Sequence, residues 1–227
     1  MATRLHAAGL PVSRVNPKRV RYFARSLGIL AKTDRPDGKV LALFGARVQP
    51  PLTAFPSETE QTLKLLVARR KQLSDMLVAK QNRLQTMPEK VHASLKEHLT
   101  WLKEKIAELD DQIQNLVQSE PDFKEKSTLL TEVPGVGPKT AAKLIADVPE
   151  LGKADRKQIA ALVGVAPYNR DSGQKSGKRS IGGGRAEVRS VLYMATLAAI
   201  RCNPVIRKRY QRLLEAGKIK KVAIVYP

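Results

Sequence analysis

The sequence predicts a mainly α fold, and three observations carry that prediction. Apolar residues recur at alternating three- and four-residue steps through two stretches of about 30 residues each. Prolines and glycines stand where helices start or stop: Pro17, Pro138 and Pro204 at starts, Gly28 and Gly217 at ends. Strand signals are few, confined to Val12–Val15 and a small hairpin after Gly164-Val165-Ala166-Pro167.

Residues 1–49 begin with the short strand signal and continue into two helices. The first opens at Asn16-Pro17 and carries an apolar stripe of Val20, Phe23, Ala24 and Leu27. The second is capped by Thr33 or Asp34, has Pro36 in its first turn, and buries Val40, Leu41 and Phe44. A lone strand leaves its backbone groups unpaired, so this region reads as the end of a larger α/β domain. Residues 50–56, PPLTAFP, hold three prolines and read as a linker.

Residues 57–118 predict a long antiparallel helical hairpin of coiled-coil character. Ser57 to Glu60 has the capping-box pattern. One seam runs through Leu63, Leu66, Arg70, Leu73, Leu77, Lys80 and Leu84. After the turn at Met87-Pro88, the other runs through Val91, Leu95, His98, Leu102, Lys105, Leu109, Ile113 and Leu116. His98 reads as a buried or half-buried seam residue, not a ligand. Arg70, Lys80 and Lys105 weaken the seam and mark places for other chains or nucleic acid to pack.

Residues 119–227 predict helices around one irregular centre. Phe123–Val133 is followed by the tight turn Pro134-Gly135-Val136-Gly137-Pro138 and a helix from Lys139 to Ala146. Asp155 with Gln158 caps the next helix, which runs through Leu162. Helices then span Arg185–Ile200 and Pro204–Ala216.

Charge narrows the partner. The net charge is +20 and the pI about 10.3, which predicts a polyanion bound in a salt-sensitive way. Residues 1–56 carry ten Lys/Arg against two Asp, and residues 119–227 carry twenty-one against ten acids. Residues 57–118, with ten against nine, are nearly neutral, as suits a spacer or a protein contact. Aromatics are 4% of the chain, which argues against a single-strand binder built on base stacking. Cys202 is the sole cysteine, so no intramolecular disulfide forms, and a reducing cytoplasm fits. His6, His92 and His98 make no metal-ligand spacing with it. No apolar run approaches the roughly 20 residues that cross a bilayer, so no membrane partner is expected.

The densest chemistry lies in Asn169–Arg189, NRDSGQKSGKRSIGGGRAEVR. Two Ser-Gly steps sit among Arg170, Lys175, Lys178, Arg179, Arg185 and Arg189, ahead of Gly182–Gly184. Cations and free amides at a helix start attract phosphate, and a serine held there binds or attacks a phosphodiester. A solvated basic loop is the plainer reading of the same residues. Val133-Pro-Gly-Val-Gly-Pro-Lys-Thr-Ala resembles the helix-hairpin-helix turn of DNA-handling proteins, in which helix-start amides grip a phosphate with Lys139 nearby. A structural helix joint is the alternative. Asp34 and Asp37 share a helical face and suit a Mg²⁺ shared with substrate phosphate, though first-turn aspartates also simply favour the helix dipole. GQKSGK at Gly173–Lys178 has too few residues between its glycines for a phosphate loop of the Walker type. Tyr168, Tyr193 and Tyr210 are conceivable nucleophiles, with Tyr193 reading as core.

These pieces together resemble the DEDD-type transposases of bacterial insertion sequences, the bridge-RNA-guided recombinases that include site-specific DNA invertases. The matching segments are VNPKRVRYFARSLGILAKTDRPD, the RRKQL and NRL positions of the first long helix, LLTEVPGVGPKTAAKLIADVPELG, and LVGVAPYNRDSGQKSGKRSIGGGRAEVRSVLYMATLAAIRCNP. They keep their order and cover nearly the whole chain. The resemblance implies a RuvC-like nuclease domain, of which 1–49 is the C-terminal remnant, a coiled-coil insertion at 57–118, and a C-terminal transposase domain at 119–227. It implies Asp34 and Asp37 as the last two acids of a metal-binding tetrad with Mg²⁺, and Ser172 as the nucleophile joined to DNA, with Ser176 and Ser180 as fallbacks. The phosphate-binding set is then Gly135, Gly137, Lys139, Arg170, Gly173, Lys175, Lys178, Arg179, Arg185 and Arg189. Implied partners are donor and target DNA, a bridge guide RNA, and further copies of the chain joined through the hairpin, in the bacterial cytoplasm at the nucleoid.

The departures set a further expectation. The family's first two acids lie upstream of Met1, Gly38 stands where alanine is usual, and the chain stops at Tyr226-Pro227. The expected product is a truncated transposase of weak or no activity. The alternative is a non-catalytic basic DNA- or RNA-binding remnant. A structural RNA-binding protein fits the charge alone, and the near-neutral hairpin argues against it.

Overall fold

A computed structural model describes residues 2–29, 34–169, 177 and 179–225, without the side chains of residues 34–36. It is mainly helical, as expected, and falls into two compact units, Met1–Ser57 and Glu58–Pro227.

The first unit holds α1 (Ala2–Ala7), α2 (Pro17–Ser26) and α3 (Asp34–Val48). Asn16 caps α2 by accepting from the Lys18 amide, and Pro17 takes the first helical position, where an absent N–H costs nothing. Ala24, Val40 and Phe44 are buried, with Phe23 edge-on to Phe44 at 5.4 Å. Leu41, expected inside, is exposed.

The strand expected over Val12–Val15 does not form. That segment instead bonds to the proline-rich stretch expected as a linker. The Thr53 amide donates to Val12 O at 2.9 Å, the Arg14 amide to Thr53 Oγ1 at 2.7 Å, and Ser13 Oγ to Pro50 O at 3.0 Å. Pro50, Pro51 and Pro56 have no N–H to give, so isolated bonds replace a ladder. His6 stacks on Phe55 at 4.3 Å and ties the same stretch down.

The second unit is built on the predicted hairpin, α4 (Glu58–Thr86) and α5 (His92–Ser119), joined through a single 3₁₀ turn at Glu89–Val91. At 29 and 28 residues, the two helices are each roughly 42 Å long. Then follow α6 (Pro121–Thr131), α7 (Pro138–Asp147), α8 (Arg156–Val163), the strands β1 (Pro167–Tyr168) and β2 (Ser180–Ile181), α9 (Ala186–Cys202), α10 (Pro204–Glu215) and α11 (Lys220–Val225). The hairpin does not stand apart from the residues after 118. Leu63, Val67, Ile113 and Val117 of the hairpin share one core with Phe123 of α6 and Ala142, Ile145 and Ala146 of α7. Val67 and Val117 lie off the two-helix seam, and they are buried because α6 and α7 dock beside it. Val91, expected on the seam, is exposed at the turn.

The other side of α7 turns to a second core. Leu144 and Val148 meet Val163 of α8 and Val188 of α9. Each such buried aliphatic side chain contributes roughly 1.5–3 kcal/mol. So α7, a 10-residue helix, is clamped from two sides, which fixes the turn that precedes it.

Candidate nucleic-acid interface

The turn between α6 and α7 is held from behind. Gly135 has φ +107, and a Cβ there would stand 2.6–2.7 Å from Cβ, Cα and N of Ala199 on α9. The turn therefore sits directly on the α9 backbone. The Val136 amide donates to Val133 O at 2.9 Å and closes it. Gly137 is the N-cap of α7 and supplies no side-chain cap, so the first amides of the helix have no side-chain acceptor from it.

Lys139 projects from that helix start, largely exposed, with Nζ 2.7 Å from Asp110 Oδ2 on α5. Asp110 also takes the Arg70 guanidinium of α4 in a two-point contact. Burial pushes the Asp110 carboxyl up, but its hydrogen bonds from Arg70 and Lys139 outweigh this and hold it below the usual carboxylate range. The seam cation Arg70 is thus satisfied inside the hairpin. Beside these groups, a groove of ≈ 980 Å³ runs between the hairpin and α7 and α9, with Val67, Ile113 and Val117 among its lining.

The sign of the Asp110 shift gives a prediction. A depressed carboxyl stabilises the fold above its unfolded pKa, and that contribution disappears as pH falls below about 4. Asp110→Ala should cost about 1 kcal/mol at pH 7, since Lys139 is exposed and Arg70 only partly buried. Urea melts at pH 7 and pH 3 should show the gap between variant and parent closing at the lower pH.

A lower layer of ion pairs fixes the second half of the site. Lys143 of α7 bonds Asp147 at 2.7 Å and Glu187 of α9 at 2.9 Å. Burial works against the Lys143 charge, yet the two carboxylates raise its pKa. Arg185 holds Glu150 with two 2.6 Å bonds, which depress the Glu150 carboxyl, while its own amide donates to Leu162 O at 2.8 Å. Arg189 Nη1 donates to Gly183 O at 2.9 Å and to Gly164 O at 3.3 Å. The Gly182–Gly184 turn is thereby tied to the C-terminus of α8, where Gly164 has φ +81.

The predicted site residues are therefore placed differently. Gly135, Gly137 and Lys139 come together at the turn. Arg185 and Arg189 carry internal bonds and support the loop's base. Arg179 is exposed beside β2. Arg170, Ser172, Gly173, Lys175, Lys178 and the fallback Ser176 lie outside the described residues, while Ser180 is exposed in β2. The antiparallel pairs Pro167↔Ile181 and Tyr168↔Ser180 bring the two ends of that segment together. Asp110 and Glu150 were missed by sequence reading. A carboxylate opposite Arg70 on the facing helix was the available signal for the first; Glu150 had none.

Asp34 and Asp37 begin α3, one helical turn apart, with Asp37 half-buried. Carboxylate oxygens suit a hard divalent cation. Among the described residues, however, no group of three or more His, Cys, Asp or Glu is placed to hold a metal. Among them, too, no helix is long and apolar enough to cross a membrane.

An uncapped helix start beside a lysine, on a chain of charge +20, is a basic helical arrangement suited to the phosphates of a nucleic acid backbone. Comparison with known proteins gives the family. A model described as transposase, IS116/IS110/IS902 family, matches residues 127–211, and a DEDD-type IS110 transposase model matches residues 1–93. The pilin gene-inverting protein of Moraxella bovis is 32% identical over 218 residues, covering 94% of this chain and 68% of that protein. The corresponding Moraxella lacunata protein matches with the same identity and coverage. An uncharacterized 43.6 kDa protein of insertion element IS110 from Streptomyces coelicolor is 29% identical over 134 residues, 58% of this chain and 32% of that protein. The chain belongs to the IS110 family of DEDD-type transposases. Its function is DNA transposition or recombination; it binds DNA, and its class uses a divalent metal.

Proposed function

We propose that this chain cuts and rejoins DNA strands with Ser172 as nucleophile, in a recombination of the kind named for its Moraxella relatives, the inversion of a DNA segment. The observation that carries this reading is the 32% identity to those relatives over 218 residues, a span that includes the serine-bearing stretch. Ser172 Oγ attacks the phosphorus of a phosphodiester and gives up its proton, and the departing sugar oxygen takes one. The phosphate stays as a serine diester, so a hydroxyl from another strand reverses the step and reseals the chain without hydrolysis.

The chain's other residues position the strand. The α7 start and Lys139 grip one phosphate, which must compete with Asp110 for the lysine. Arg170, Lys175, Lys178 and Arg179 neutralise phosphates around the serine, with Gly173 letting the backbone come close. Arg185 and Arg189 hold the base of that loop. Asp34 and Asp37 would hold Mg²⁺, which when bound stabilises charge on phosphate oxygens. Residues 1–49 are read as part of a RuvC-like domain and residues 119–227 as the transposase domain. A guide RNA is the second nucleic acid in this reading, and the chromosome in the bacterial cytoplasm is its place of work. The distal hairpin exposes Met76, Val78, Met87, Val91 and Trp101, which supports self-association there.

The test is a covalent adduct. Full-length chain, Mg²⁺ and nicked duplex DNA should yield a slow-migrating DNA band on a denaturing gel. Ser172→Ala should abolish it, while Ser176→Ala and Ser180→Ala keep it. An adduct that survives Ser172→Ala, or none from the parent chain, would overturn the serine assignment.

A further inference from the structure

A separate cleft of ≈ 510 Å³ opens among α8, β1, α10 and the end of α11. Its floor is small and apolar, with Ala160, Val165 and Ala166, and its charge comes from Arg156, Lys157 and Arg209. Among the described residues, no carboxylate lines it. Among the described residues, none of the three cations has an ion-pair partner, unlike Lys139, Lys143 and Arg185.

The placement of two of them is unfavourable for folding. Arg156 and Lys157 occupy the first turn of α8, the positive end of the helix dipole, where no acidic residue stands within the turn. The neighbouring N-cap Asp155 accepts from the Gln158 amide at 2.8 Å and, among the described residues, makes no ion pair with either cation. The third, Arg209, arrives from α10. Its neighbour Arg207 is used structurally, donating to the end of α9 at Ile200 O (3.0 Å) and Arg201 O. Among the described residues, Arg209 makes no such bond. Three cations from two distant elements therefore converge on one cleft without an ion-pair partner among the described residues.

We propose that this cleft is a second backbone subsite, taking phosphodiesters of a nucleic acid strand that continues to the serine-bearing segment. The floor suits sugar faces and lacks the buried polar donors that a small carboxylate ligand requires, while rim cations suit repeating phosphates. Pro167, in the cleft wall, opens β1, and the chain runs from there directly into 169–179. The inference rests on the proposed reading of Ser172 only for where that strand leads.

The experiment compares the full chain with the triple variant Arg156→Gln, Lys157→Gln, Arg209→Gln. Binding to a labelled DNA duplex and, separately, to a labelled RNA hairpin is read by fluorescence anisotropy between 50 and 200 mM salt, on the order of the range where such contacts titrate. The expected result is affinity about tenfold lower, with the salt slope smaller by roughly 2–3 on the duplex. A control triple, Lys96→Gln, Lys103→Gln, Lys124→Gln, removes the same charge from α5 and α6 and should change affinity by less than about threefold. The cleft variant's melting temperature should stay level or rise, because cations leave a positive helix end. Loss on the DNA arm assigns the subsite to DNA, and loss on the RNA arm to RNA. Equal weakening by the control, or parental binding on both arms, would overturn the proposal. A missing Ser172 adduct beside cleft-dependent binding would instead sink the serine reading and leave this one standing.

Discussion

Gly164→Ala is expected to lower the melting temperature of the chain by roughly 5–15 °C, because it destabilises by about 2–5 kcal/mol. Gly164 ends α8 in the left-handed region, where an alanine Cβ is strained. The added methyl would also stand within 3.0 Å of Gly183 O and of Arg189 Nη1. Neither can yield cheaply. Gly183 O is backbone, and the guanidinium is fixed by its bonds to Gly183 O and Gly164 O. The Gly182–Gly184 turn must lift from α8, and the Arg185 amide then loses Leu162 O. Far-UV circular dichroism should stay nearly unchanged, since the helices carry that signal. Thermal melting should move, and any serine-dependent adduct should fall with it because the base of the loop has shifted. A melting temperature within about 2 °C of the parent would mean that the turn and α8 are not locked together.

How much of this was legible depends on how local each cause is. Asp155 with Gln158, Pro138 at the start of α7 and Asn16 before Pro17 act within one turn of chain, and the structure places each as expected. The hairpin was legible because its periodicity persists over some 60 residues, longer than any accident of composition. The burial of Val67 and Val117 was not, because it is decided by α6 and α7 docking beside the seam. Val12–Val15 looked like a strand by side-chain type, and whether it pairs depends on a partner that turned out to be proline-rich. The site divides in the same way. Gly135, Gly137 and Lys139 were legible as a turn motif. Arg185 and Arg189 read as phosphate clamps because Glu150 lies 35 residues away and the carbonyls of Gly164 and Val163 carry no sequence signal. Ser172 was singled out among three serines only by resemblance to a family.

Gly135→Ala should be the most damaging single change at the turn, costing about 3–5 kcal/mol and taking DNA binding through Lys139 with it. The reason is close approach to backbone. The new methyl would lie 2.6 Å from Ala199 Cβ and 2.7 Å from both Ala199 Cα and N, with α9 held against α7 by the core that Val188 shares with Leu144. The turn must move off α9 instead, and the start of α7 moves with it. That shift carries Lys139 and the first helix amides together away from the phosphate they would share. Ala199→Gly in the same chain removes the Cβ contact but leaves the Cα and N contacts, so rescue should be partial: melting temperature recovers by less than half, and duplex affinity by a similar share. Lys139→Gln supplies the comparison, with weaker, less salt-dependent binding and a melting temperature near the parent's, because Arg70 still satisfies Asp110. If Gly135→Ala lowered stability but left duplex affinity and its salt slope untouched, the turn would be a structural joint, and the phosphate grip would have to be sought elsewhere on the chain.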